Sequence, residues 1–143
     1  MKTLSKVPTW FWVVATIALI WNTLGVIAYL GQAFMPPEML ESLPEAERTL
    51  MDSTPAWVTA AFALAVWGGA AGSLLLLFRN SIAYLLLIIS LVGIFAQFTW
   101  NLFIGETMEV YGPGSIIMPI MVLGIGIYLV FFARSAKAKG WLN

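Results

Sequence analysis

The chain has 143 residues, 61% of them hydrophobic and 10% charged, with seven basic and seven acidic side chains that cancel. A soluble domain carries about 25% charged residues, so this composition excludes a water-soluble globular fold and places the chain in lipid. With neither cysteine nor histidine, disulfides, thiol redox relays, the commonest metal and haem ligand and the usual proton shuttle at neutral pH are excluded as well.

The charged residues leave four charge-free runs, 7–37, 53–78, 80–105 and 110–133, each longer than the roughly 18 apolar residues that mark a membrane-spanning helix. Backbone groups in hydrocarbon must bond within their own segment or around a closed barrel. Unbroken runs such as SLLLLF and AYLLLIISLVGIF lack the alternation that barrel strands need. The expected fold is therefore all-α: one domain of four transmembrane helices, about 10–34, 55–78, 81–104 and 115–133, in an antiparallel bundle.

Lys2 and Lys6 precede the first run as they would in a signal peptide, and Gly31-Gln32-Ala33 resembles a cleavage site. The run is too long for a signal h-region of about 7–15 residues, so an uncleaved first span is expected. After it, Pro36-Pro37 stops the helix. Ser42-Leu43-Pro44-Glu45 has the form of a capping box, so one short surface helix is expected through about Asp52. Glu45 and Glu47 would face water, with Leu43, Leu50 and Met51 on the membrane surface or across the bundle mouth. A lid and a plain interfacial connector are both open.

Arg79-Asn80-Ser81 is so short a turn that spans two and three must be antiparallel neighbours. Span two carries WGGAAGS, in which Gly68 and Gly72 form a GxxxG pattern and Gly69 and Ser73 extend a row of small residues from Ala61 and Ala65. Such rows allow close backbone contact in lipid, here expected within the chain. Pro119 near the start of span four, with Gly112-Pro113-Gly114 before it and Gly124 and Gly126 after it, makes that span the least regular one expected.

Lys2, Lys6, Arg79, Arg134, Lys137 and Lys139 fall on one side of this topology, giving +6; the other side holds all seven acids and Arg48, giving −6. By the positive-inside rule both termini are expected to be cytoplasmic. Trp10, Trp12, Trp57 and Trp141 fall at span ends, as interfacial aromatics do.

Two polar stripes run toward the acidic face. Asn22, Gly25, Tyr29 and Gln32 share one side of span one, and Ser90, Gly93, Gln97 and Asn101 one side of span three, ending just before Glu106. The residues are read either as interhelical hydrogen bonds, each about 0.6 kcal/mol, or as a polar vestibule of Asn22, Tyr29, Gln32, Gln97, Asn101 and Glu106. Glu106 lies twenty-five residues after Ser81, about 37 Å along a helix and so past a hydrocarbon core of about 30 Å. The repeated dipeptide in Trp21-Asn22 and Trp100-Asn101 falls at different depths and is not read as a duplication.

Trp21-Asn22 with Gly25, LPEAE before TPAWVTAAFALAVWGG, and LLLLFRNSIAYLLLIISLVGIF resemble small bacterial four-span membrane proteins automatically labelled as sugar transporters. The TPAW segment and the glycine-rich span are more distantly similar to DoxX-type four-helix proteins. The resemblance implies an inner-membrane protein with transport as its expected activity. From the residues, three functions stay open: an oligomeric transporter or channel-like protein for a small neutral or cationic solute, an accessory or assembly subunit of a larger membrane complex, and a binder of a lipid or quinone between the helices. No catalytic residue, metal site, cofactor or nucleic-acid partner is expected, because no titratable pair or activated nucleophile is placed within the spans.

Overall fold

A computed structural model describes residues 6–104 and 107–143. The described residues are helical with no strand, and four helices are long and apolar enough to cross a membrane: Thr9–Ala33, Ala56–Leu77, Ile82–Ile104 and Gly114–Ala138. The protein is an all-α, multi-pass four-helix membrane bundle. We number the α-helices α1 (Thr9–Ala33), α2 (Pro37–Ser42), α3 (Glu45–Ser53), α4 (Ala56–Leu77), α5 (Ile82–Thr99), α6 (Thr107–Tyr111) and α7 (Ile117–Ala138). Proline punctuates the starts. Pro8, Pro36, Pro44 and Pro55 are the N-cap residues of α1 to α4, where a fixed φ and a missing N–H cost nothing.

Backbone-close packing runs in the order α1, α4, α5, α7. Each pair is antiparallel. Along α1 and α4, Asn22 meets Ser73, Gly25 meets Val66 and Tyr29 meets Phe62. The tightest seam is α4 on α5, made possible by small residues. A Cβ at Gly93 would stand 2.6 Å from the Ala61 carbonyl oxygen and 2.9 Å from the Ala65 nitrogen, and one at Gly68 would stand 3.2 Å from the Leu86 carbonyl oxygen. Gly72 faces Leu87 and Ala83. The GxxxG row thus lies against α5 of the same chain. Close backbone approach of this kind supplies dispersion contacts that lipid cannot match atom for atom.

α1 and α7, by contrast, are joined by rings at the end where α1 begins and α7 stops. Phe11 stacks on Phe132 at 5.6 Å, and Trp141 stands edge-on to Trp10 and Phe11 at 5.4 and 5.8 Å. Leu76, Ala83, Ala133, Ala136 and Leu142 belong to the same buried cluster. The chain returns to it through a turn after α7. Gly140, at φ 75°, lets the Trp141 N–H reach the Ala136 carbonyl at 2.9 Å, the helix-ending arrangement that glycine favours. Arg79 occupies the matching position after α4 at φ 54°, a left-handed conformation costing a non-glycine residue about 1 kcal/mol. Its Nε donates to the Trp141 carbonyl at 2.7 Å, and Ser81 and Asn143 bond backbone to backbone at 3.2 Å. These bonds clasp residues 141–143 to the α4–α5 turn.

Three sequence expectations are corrected here. The connection after α1 holds two short helices instead of one: Ser42 closes α2 by donating to the Met39 carbonyl, and Pro44, not Ser42, caps α3. Proline leaves residue 43 extended and so breaks the helix there. Span four runs to Ala138, past Arg134 and Lys137, because long basic side chains reach the interface while their backbone stays helical. Its irregularity is confined to a 3-10 turn, Pro113–Ile116, and Pro119 lies harmlessly in the first turn of α7. The loosened helix belongs to span three, which widens into a π-helical turn at Trp100–Ile104.

Candidate functional site

The end of the bundle away from the ring cluster is hollow. A cavity of about 430 Å³ lies among all four spans, walled mainly by apolar groups such as Trp21, Phe62, Val66, Ile94, Val122 and Leu129, with Asn22, Ser90, Gln97 and Asn101 as its polar members. Its floor is the buried cluster around Phe11 and Phe132, with which it shares Leu87 and Leu129. Apolar walls with a few convergent polar groups are the usual make-up of a small-molecule site.

Asn22 sits at mid-span and is held on two sides. Its Nδ2 donates to the Ala18 carbonyl at 2.9 Å and to Ser73 Oγ at 3.3 Å, while its Oδ1 rests over Gly69. A Cβ at Gly69 would collide with that oxygen, so the glycine makes room for the amide at the cavity wall. With both protons of Nδ2 engaged, Oδ1 remains an acceptor toward the cavity. Ser90 donates to the Ala65 carbonyl at 2.6 Å and bonds α5 to α4 at the same level. Gln97 and Asn101 make no hydrogen bond to the described residues; among these residues, Asn22 is the amide that bonds across helices.

A second cavity, about 310 Å³, adjoins the first at Phe62, Gln97 and Asn101 and continues to the acidic end, where Gln32, Glu47, Leu50, Met51, Thr54, Trp100 and Tyr111 line it. α3 therefore lies across the bundle mouth. Glu47, expected to face water, turns inward and is half-buried. The cause is helical phase: Leu43, Leu50 and Met51 line the same cavity, and Glu47 shares their face at spacings of three and four. Tyr111 is held above the usual tyrosine range, first by partial desolvation and then by the Glu47 carboxylate. The π turn carries Trp100 and Asn101 at the neck, and Trp57 braces it edge-on to Trp100 at 6.1 Å. Irregular turns of this type recur at functional sites because they re-aim side chains.

The structure thus brings Asn22, Gln97 and Asn101 together at the central cavity and joins Gln32 to Gln97 and Asn101 at the mouth. Tyr29 lines neither cavity; it stands edge-on to Phe62 at 5.4 Å. Glu106 lies outside the described residues. Gly69 and Ser73, expected as packing residues, also shape the Asn22 site. The wall that sequence reasoning missed is α7, whose Met118, Val122 and Ile125 face the cavity and give no polar signal. Phe62 and Glu47 were missed as site residues too, and only the α3 phase could have exposed Glu47.

No protein-family model, curated protein or solved structure matches this chain.

Proposed function

We propose that this protein binds an amphipathic, lipid-soluble small molecule between its four spans and exchanges it through the mouth at its acidic end. The observation that carries this is the central cavity: about 430 Å³, within the range of about 300–1,000 Å³ typical of sites for drug-sized ligands. Its apolar walls favour a hydrocarbon or ring system, and Asn22, Gln97 and Asn101 offer hydrogen bonds to a polar end. Of the three functions left open by the sequence, this is the lipid- or quinone-type binder. Passage of a small neutral or cationic solute across the whole bundle, the transporter reading that the family resemblance suggests, would require the Phe11–Phe132–Trp141 cluster to part.

In the same reading, the chain sits in the inner membrane with both termini cytoplasmic, because its basic side chains gather at that end, and the mouth opens outward. The apolar residues exposed along the spans, such as Ile17, Leu24, Phe95 and Phe131, are covered by lipid, by further copies in a homo-oligomer or by a larger membrane complex.

Organic extracts of the purified protein, analysed by mass spectrometry, test the binding reading. Wild type is expected to carry a lipid-soluble species that Val122→Trp, which fills the cavity, loses while remaining folded. Equal content in both proteins would overturn it. The native chain has no cysteine, so single cysteines at Lys137 and Glu45 report orientation; labelling of both from one side would refute the topology.

A further inference from the structure

We propose that the mouth cavity is a cation subsite, so that the bound molecule is an apolar-tailed ammonium with its head against Glu47, Trp100 and Tyr111 and its tail beyond Phe62 in the central cavity. This rests on the reading of the central cavity above and adds the charge of the ligand. Three observations carry it.

The first is Glu47 itself. It is half-buried in the mouth lining, and no cation among the described residues pairs with it. Arg48, next in sequence, is not part of that lining. An inward carboxylate without a counter-ion is an unpaired negative charge that a ligand ammonium would complement. An anionic head would be repelled at the same point.

The second is the company Glu47 keeps. Trp100 and Tyr111 line the same cavity, and aromatic faces attract an ammonium through their quadrupoles. Tyr111, neutral as an ordinary phenol and pushed further that way by desolvation and by Glu47, presents an uncharged ring. A carboxylate beside aromatic faces is a poor fit for a neutral sugar-like head, which needs many directed hydrogen bonds.

The third is continuity and field. Both cavities share Phe62, Gln97 and Asn101, so a head in one and a tail in the other belong to a single molecule. Around the mouth the 35–54 connection holds five acids and one arginine, a net −4, which draws cations toward the opening and is screened by salt.

The test uses the full chain in lipid nanodiscs, with intrinsic tryptophan fluorescence reporting from Trp21 and Trp100 and two probes, decyltrimethylammonium and decanol. Wild type should bind the cation about tenfold more tightly than the alcohol, the scale of one well-placed charge contact. Glu47→Gln should abolish that preference and leave decanol affinity unchanged, Glu47→Asp should restore part of it, and Glu45→Gln should change nothing. Equal wild-type affinities for the two probes, or a preference surviving Glu47→Gln, would overturn the cation subsite while leaving the central cavity reading intact. Decanol binding that Val122→Trp fails to weaken would overturn the cavity reading, and the subsite with it. Affinities are expressed per probe concentration in the nanodisc lipid, so that the different bilayer partitioning of the two probes is removed before they are compared.

Discussion

The two ends of this bundle solve the same packing problem in opposite ways. At the end holding Phe11, Leu76, Phe132 and Trp141, rings and leucines pack into a buried cluster between the spans. At the other end the same four helices leave two adjoining, partly open cavities, with nine residues of amphipathic helix lying across the outer one. No hydrophobic force between helices operates in lipid, so solidity has to come from van der Waals fit. Where the fit is given up, as around Val122 and Asn101, stability is lost for the sake of space. The difference teaches where the bundle takes its stability, and in the proposed reading it leaves the hollow end for the ligand.

Substitutions can break this contrast at either end. The largest effect should come from Phe132→Ala, which empties a stacked ring from the filled end; we expect a loss of about 3 kcal/mol in a reversible unfolding titration in mixed micelles. Leu76→Ala should fall just below it. Asn22→Leu, at the boundary between the two regions, removes the bond to Ser73 and leaves a fully buried hydroxyl with one partner fewer; about 1 kcal/mol is expected in the same assay. Val122→Trp in the hollow end should shift stability by less than about 0.5 kcal/mol in either direction, since it fills space that is open. A loss as large as that of Phe132→Ala would show that the cavity wall is tightly packed after all.

The smallest effect sharpens the picture of the mouth. Tyr111 should titrate above the ordinary tyrosine range by ultraviolet absorbance, and Glu47→Gln should lower it only partly, because desolvation is the larger cause. The folded state holds that proton more tightly than the unfolded chain. Its contribution is therefore fully present below the ordinary tyrosine range and declines as pH rises through it.

The spans were legible in the sequence almost residue by residue because lipid punishes charge so severely that charge spacing alone outlines them. Where charge and helix parted company, at Arg134 and Lys137, the boundary was misjudged. Asn22, Gln97 and Asn101 could be picked out for the same reason, as polar groups in an apolar field. The apolar wall from α7, the neck formed by Phe62 and the π turn at Trp100 left no such trace. They depend on which face of each helix turns inward, and helices that are apolar all round carry no periodic signal to tell. Glu47 was hidden by the opposite assumption, that a loop carboxylate always seeks water.

Residues 141–143 give the architecture a last property. By hydrogen bonds they hold the junction of α4 and α5, by rings they hold α1, and by covalent continuity they extend α7. All four rods are thus riveted at one point, like the ribs of a hand fan. Under the proposed binding reading, a ligand that spreads the far tips of α1 and α7 would turn them about this rivet and leave the α4–α5 seam closed.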